Sequence, residues 1–537
     1  MSNLGNNNRH ILLNGITPYY KYLLLLILVL WYGFFIIHKI NFSTADLGRH
    51  IKNGEIILKT QSGFLSNKVL TQNFYSYTEP NYSFVNHHWG SGVIFYLTLK
   101  YFGFSGVSIL FIFLSFLSLI IFYDVARRES NLNLAFLVAI IFIPIISQRK
   151  EIRPEVFGYL FSGIFLWILT FWDKNKLNKK WLFVLPILGL VWINLHITYI
   201  FGLFIVGVFL VEKIFQMYFK KENNLEQIGT LSMVFVLMFL LGMLNPFGIK
   251  AILYPLNIFR NYGYTIVENQ SIWFLENYGI KNPRFLFFKV TYILILLTYL
   301  KLIISKRNKI AIRYLMFFIV FSSLGLLALR NFVNYGFFSI VILSTNIYAI
   351  FEDKNILNDK IIAFTTSVFV VLLMLFHFNN IYPIKYFKRD MGIGLKKNVN
   401  SSMQFIKTNK LMGPIFNNYD NGGQLIYHLY PQYKVFVDNR PEAYSEDFLQ
   451  KVYIPMQQNE VEWKKYSTEY GFNTVVFQYH DATGWGQTFL INRVNDPEWI
   501  PVFVDNYNLI FLKNNEYNKD IIRKYKLPKE LFRVVKK

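Results

Sequence analysis

Asp46 follows the first apolar run of the chain (residues 22–37) and stands directly before LGRHIKNGEIIL. A carboxylate held at the edge of a membrane can take the proton from an acceptor hydroxyl while a sugar carried on a lipid phosphate approaches from the bilayer. That is general-base catalysis with in-line attack at the anomeric carbon. A lipid phosphate leaves already ionised, so the displacement needs little acid assistance and no second carboxylate of the kind glycoside hydrolysis uses. An aspartate before an amphipathic run is also a common helix N-cap, and the two roles are compatible.

The partners this chemistry needs are spread along the chain. QRKEIRPE (148–155) supplies Arg149 and Arg153, and Arg330 follows the apolar stretch LGLLAL. Guanidinium groups give phosphate bidentate, charge-assisted bonds, although pairing with Glu151 or Glu155, or contact with lipid headgroups, accounts for them equally well. NHHWGSG (86–92) places His87, His88 and Trp89 in one short run. Adjacent histidines point in different directions and lack a third ligand at zinc spacing, so hydrogen bonding to acceptor or phosphate is the expected use, with Trp89 anchoring at the interface. His50, Glu155, His196 in WINLHITY and Glu268 in IVENQSIW complete the candidate pocket. The reaction requires no cofactor, and the acidic residues leave room for a divalent cation such as Mg or Mn.

These residues need a membrane scaffold. The 537 residues are 53% hydrophobic and 16% charged, well below the quarter charged that is typical of soluble domains. The apolar residues fall in blocks long enough to span a bilayer, which predicts about eleven spans near 22–37, 107–123, 134–146, 156–172, 181–193, 198–211, 228–244, 285–303, 310–329, 332–350 and 361–378. Residues 93–101 lie along the interface or extend the second span. Arg127-Arg128 and loops 173–180, 219–224, 305–309 and 352–360 are basic and fall at every second connection. The positive-inside bias makes that side, and the tail 1–20, cytoplasmic. Loop 41–92, the other candidate residues and everything beyond about His377 then lie outside. The net charge of +23 is thereby assigned to topology and membrane lipids, and nucleic-acid binding is excluded. With no cysteine, disulfides, thiolate metal sites and a cysteine nucleophile are excluded too.

After the membrane domain (21–378), residues 379–537 alternate short β-rich runs with helical patterns, the mark of an α/β domain. Strands are predicted at 413–416, 434–438 and 473–479, with a hairpin over 499–513 turning at Asp505-Asn506. YDNGGQ (419–424) reads as a strand-to-helix turn, and Asp438 with Arg440 as a structural salt-linked turn.

Taken in order, DLGRHIKNGEI, FYSYTEPNYSFVNHHWGSG, RPEVFGYLF, WINLHITYIFG, LNPFGIKAILYP and VFVDNRPEAYSEDF resemble the bacterial polytopic GT-C glycosyltransferases, relatives of protein O-mannosyltransferases. The resemblance implies a fold whose first external loop carries the catalytic acid, a role that maps onto Asp46. It also implies a polyprenyl-phosphate-linked sugar as donor, a glycan, lipid or protein acceptor outside the cytoplasm, and residence in the bacterial plasma (inner) membrane. Two departures stand out. Asp46 is followed by Leu47 where many relatives carry an acidic pair, and His88 stands where relatives often show an acid. The rival expectation is a transporter or flippase of lipid-linked sugars that makes no bond. Transporters often carry paired internal repeats, and none is seen here.

Overall fold

A computed structural model describes residues 4–43, 46–60, 67–257, 262–352, 364–368, 370–372, 374, 391–481 and 483–532. Backbone in hydrocarbon must satisfy its own hydrogen bonds, so uninterrupted apolar blocks become helices. Among the described residues seven helices are long and apolar enough to cross a membrane: Tyr19–Ile36, Trp89–Glu129, Glu155–Asp173, Tyr199–Phe219, Leu225–Gly242, Pro283–Ser305 and Leu329–Phe351. The shorter apolar helices Leu132–Ile146 and Ile312–Leu327, with Val184–Leu195, occupy the remaining expected positions up to residue 352. The expected span 361–378 lies partly outside the described residues. Gly103, at φ 64° and ψ −171°, breaks the Trp89–Glu129 helix. That left-handed backbone suits only glycine, so residues 93–101 form a separate rod leading into the second span.

The basic connections gather at one end of the bundle. Asp173 is paired with Lys213 (2.5 Å) and with Arg313, and Arg313 also holds Glu212 (2.6 Å). Lys174 joins Glu129 at 2.9 Å. The opposite ends of the same helices carry Glu155, His196 and Arg330.

At that second end lies helix Leu47–Lys59. It rests on the start of the Trp89–Glu129 helix so closely that a Cβ on Gly54 would lie 2.1 Å from the Gly92 carbonyl oxygen. Its first turn meets the C-terminal domain, where Gly48 faces the Gly423 carbonyl.

The C-terminal domain is built on a four-stranded sheet of β1 (Ile415–Asn417), β2 (Thr474–Gln478), β3 (Trp499–Val504) and β4 (Asn508–Lys513), in the order β1-β2-β4-β3. β1 and β2 are parallel, and the other pairs are antiparallel. The Asp505 carboxylate accepts the Tyr507 and Asn508 amides at 2.8 Å each and so closes the hairpin. YDNGG forms the expected turn from β1 into helix Gly422–Leu429.

Residues 434–438, expected as a strand, do not join this sheet. Val435 instead exchanges backbone bonds with the loop between the first two spans, donating to Tyr75 O at 3.1 Å and accepting from Tyr77 N at 3.2 Å. The Asn417 side chain takes Phe436 N and Val437 O, at 2.9 and 2.7 Å. Its three consecutive apolar residues, Val435 to Val437, fill two different cores. Val435 packs with Val69, Leu70 and Tyr75, while Phe436 and Val437 pack with Phe84. Loop and domain are therefore one folded body.

Candidate functional site

Asp46 occupies the N-cap position of Leu47–Lys59 with helical φ and ψ, and its carboxylate makes no capping bond. The backbone carbonyl of Asp46 still receives His50 N at 3.1 Å, so the helix starts without using the side chain. One carboxylate oxygen accepts the Asn439 amide, and the other lies 3.6 Å from Arg153 Nη1. Asn439 is aimed by its neighbours. Arg440 donates to both Asp438 oxygens at 2.6 Å each, and to Asn73 Oδ1 at 2.6 Å, inside the protein. Asp438 and Arg440 thus form a buried structural fork, and the residue between them is turned toward Asp46.

A cavity of ≈ 970 Å³ opens in front of Asp46. His50, His87, His88, Arg153, Glu155, His196, Glu268 and Arg330 all line it, although they come from five separate connections. The membrane side of its wall is apolar, with Ile197, Ile200, Phe201 and Leu324. Opposite, the C-terminal domain contributes Tyr419, Asp420, Glu442, Asp481 and Trp485.

The arginine-rich connection is heavily neutralised. Arg153 meets Glu268 at 2.9 Å and Glu151 at 3.4 Å. Arg149 holds Glu155 at 2.6 Å and also reaches Glu268. Burial alone would raise the Glu268 carboxyl, but Arg149 and Arg153 outweigh it and pull the pKa down to about 2. The same carboxylates hold Arg153 firmly protonated against its burial. Arg149 lies behind the main cavity and lines a smaller one of ≈ 200 Å³.

The histidines form a chain of rings. His88 stacks on His196 at 5.0 Å, meets His50 edge-on at 5.3 Å and contacts His87 at 3.9 Å. Burial first, and neighbouring cations after it, lower His87 to about 3 and His196 to about 4. The rings are neutral hydrogen-bonding groups at pH 7. Among the described residues, no group of three or more His, Asp or Glu is arranged to hold a metal ion. Trp89 is not part of the cavity wall. Its indole donates to Asn194 Oδ1 at 3.1 Å and ties its helix to Val184–Leu195.

Several site residues escaped the sequence reading. Arg49 and His50 follow Asp46 by three and four positions and share its helix face, which was the available signal for Arg49. Nothing local marks Asn439, Asp420, Glu442 or Asp481. Asp420 is half-buried on the cavity wall, and desolvation there together with Asp481 and Asp46 raises its carboxyl to about 7.

No protein-family model and no curated protein matches the sequence. Solved structures do match. An Archaeoglobus fulgidus oligosaccharyltransferase tethered to an acceptor peptide aligns at TM-score 0.58 and 11% identity, over 93% of this chain and 74% of that one. The Archaeoglobus fulgidus oligosaccharyltransferase AglB, in complex with an inhibitory peptide and dolichol phosphate, gives 0.57 and 12%, over 94% and 75%. A complex of the Archaeoglobus fulgidus oligosaccharyltransferase with zinc and sulfate gives 0.52 and 12%, over 91% and 73%. At this identity the likeness is one of fold: the chain is a mostly helical, polytopic membrane protein carrying a C-terminal α/β domain, and it shares the fold of the Archaeoglobus fulgidus oligosaccharyltransferase.

Proposed function

We propose that this protein is a membrane glycosyltransferase that moves a sugar from a polyprenyl-phosphate donor to an acceptor on the extracytoplasmic side of a bacterial plasma membrane, with Asp46 as general base. The observation that carries the reading is a carboxylate released from helix capping and set on the wall of a cavity that is apolar toward the bundle and polar toward the outer domain. The solved neighbours support it, since one holds an acceptor peptide and another an inhibitory peptide with a lipid phosphate. In the reaction, Asp46 takes the acceptor proton as the acceptor oxygen bonds to the anomeric carbon. The bond from that carbon to the phosphate oxygen breaks, and its electron pair leaves with the lipid phosphate. Asn439 orients the Asp46 carboxylate, and the outer-domain wall receives the acceptor.

Another neighbour holds zinc, which raises the question of a cation beside Asp46. The residues here do not fit one. Asp46 and Glu268 come from distant loops and would be the natural pair of ligands, but the Arg153 guanidinium faces both of them, at 3.6 and 2.9 Å. No step of the reaction is routed through a metal.

The test is Asp46→Asn in membranes supplied with labelled polyprenyl-phosphate sugars and a cell-envelope extract. Loss of a general base is expected to slow transfer by about 10²-fold or more at normal expression. Full transfer would remove the assignment. Labelled lipid crossing the membrane in both proteins, with no product formed in either, would establish the transport reading instead.

A further inference from the structure

We infer that the wall which the C-terminal domain presents to this cavity is a seat for a protonated amine, and that the acceptor is a hydroxylated group carrying one. The inference rests on the function proposed above and names the chemical class of the acceptor.

The signal is a turn held rigidly around a residue that the fold does not use. Tyr419 N donates to the Tyr453 hydroxyl at 2.8 Å. The Asn421 side chain donates to Val476 O at 3.0 Å and accepts from Asn417 Nδ2 at 3.2 Å. Gly422 is packed so closely that a Cβ there would lie 2.5 Å from Asp438 Cα. Between these fixed points the Asp420 carboxylate lines the cavity and has neither a hydrogen bond nor an ion pair among the described residues. Tyr419 beside it is only 6% exposed and lines the same cavity, yet its hydroxyl has no hydrogen bond among the described residues. Buried polar groups are normally bonded, so a hydroxyl and a carboxylate left open on one turn mark the place of a ligand.

Charge says what kind of ligand. The C-terminal domain contributes Asp420, Glu442 and Asp481 to the cavity wall, and neither Lys nor Arg. Asp481 already accepts from Thr483 N at 2.9 Å, Thr483 Oγ1 at 2.6 Å and Asn418 Nδ2 at 3.0 Å, so its charge remains while its bonding capacity is spent. Asp481, Asp46 and Glu268 all act on Asp420 as like charges, with Arg153 acting the other way. Like charges gathered in this manner repel, and a bound cation relieves the repulsion. The adjoining surface is aromatic. Tyr264 stacks on Tyr419 at 4.2 Å, Trp485 meets Tyr264 edge-on at 6.1 Å, and all three rings line the cavity. Aromatic faces attract an organic ammonium by cation–π contact, whereas a bare metal ion needs more free oxygens than Asp420 and Glu442 supply. Asp46 is near enough to act on Asp420, so an amine seated on the turn brings a hydroxyl of the same acceptor toward the base.

The experiment measures binding to the purified full-length protein in detergent by isothermal titration calorimetry. Two amines are compared with uncharged counterparts: glucosamine with glucose, and an acetylated seryl-lysine amide with its seryl-norleucine analogue. At least one amine is expected to bind about ten- to a hundredfold more tightly than its counterpart at pH 7, the range for a charged hydrogen bond. Asp420→Asn should remove that preference, and Asp420→Glu should recover part of it. Binding should also release protons, because a cation beside Asp420 lowers a carboxyl that titrates near pH 7. Titrations in buffers of different ionisation enthalpy read the release, which Asp420→Asn should abolish. Preference for glucosamine alone identifies a saccharide acceptor, and preference for the lysyl peptide alone a protein acceptor. Absence of binding by both amines, equal affinity for amines and counterparts, or a preference that survives in Asp420→Asn would overturn the proposal. Transfer assays on the same preparation separate the two readings. Transfer to uncharged acceptors as fast as to amines leaves the glycosyltransferase standing and removes the amine seat. Amine-selective binding with no transfer to any acceptor does the reverse.

Discussion

At the scale of single residues, charge placement decides what each group can do. Arg153 is the cation nearest Asp46, and it also bridges to Glu268. A divalent ion placed there would meet a fixed guanidinium at short range, where like charges repel strongly. Chelator treatment should therefore leave the thermal stability of the purified protein unchanged, and Mn(II) should not bind stoichiometrically by electron paramagnetic resonance. Arg153→Gln removes the guanidinium and leaves the two carboxylates, so that variant should gain Mn(II) binding that Arg153→Gln/Glu268→Gln loses again. Stoichiometric Mn(II) on the wild type, abolished by Asp46→Asn, would contradict this. Asp420 gives a pH prediction. Its carboxyl is raised from 3.8 to about 7, so the folded protein holds this proton where the unfolded chain has released it. The group costs no stability below about pH 4, and the cost grows as pH rises toward 7 and then levels off. Asp420→Asn should accordingly raise the melting temperature at pH 8 and leave it unchanged near pH 4, with a gain of a few kcal/mol at most. Thermal unfolding at the two pH values measures it.

At the scale of elements, the Leu47–Lys59 helix sets the position of Asp46, Arg49 and His50, and its own position is set by contact with the start of the Trp89–Glu129 helix. A methyl at residue 54 would meet the Gly92 oxygen at 2.1 Å and Val93 N at 2.8 Å. Those are backbone atoms that cannot rotate away. Gly54→Ala is expected to cost about 3 kcal/mol or more and to lower activity by shifting the whole helix. Gly229→Ala, with nothing within 4 Å, should be neutral or slightly stabilising because alanine favours helix. Melting temperatures of the two variants in the same detergent make the comparison. The elements themselves were legible in the sequence, because span length and apolar content are local properties. The gathering of His87, His196, Glu268 and Arg330 with Asp46 was legible in part, since each falls in a connection, or at a span end, expected on the same side of the membrane. The Asn439 contact was not, because it joins residues hundreds of positions apart. Nor was the spent charge of Arg149 and Arg153, which depends on Glu268 arriving from another loop. The run at 434–438 shows the limit from the other side. A β-rich apolar run announces a strand, but only the tertiary structure decides whether its partner is the sheet or the loop.

At the scale of the molecule, the outer domain is more than an addition to the membrane bundle. Val69, Leu70 and Tyr75 of the loop share one core with Ile415, Leu425 and Val435, and Phe84 shares another with Phe416 and Phe436. Asn73 accepts from Arg440, which is 2% exposed. Glu79 receives both the amide and the hydroxyl of Ser445, at 2.7 and 2.6 Å. Without the domain, residues 67–84 would expose these apolar side chains to water at roughly 25 cal/mol per Å² and would lose the backbone bonds that Val435 supplies. The spans need no such support, because their helices satisfy their own hydrogen bonds in lipid. A chain ending before residue 391 should therefore still insert in the membrane, while its 67–87 segment becomes open to protease and Asp46 loses the Asn439 contact that orients it. Limited proteolysis of membranes carrying the full-length and shortened chains distinguishes the outcomes. Cleavage within 67–87 in the shortened chain, with that segment resistant in the full-length protein, is the expected pattern. Equal resistance in both would mean that the loop folds on the bundle alone, and that the outer domain serves only as the far wall of the cavity.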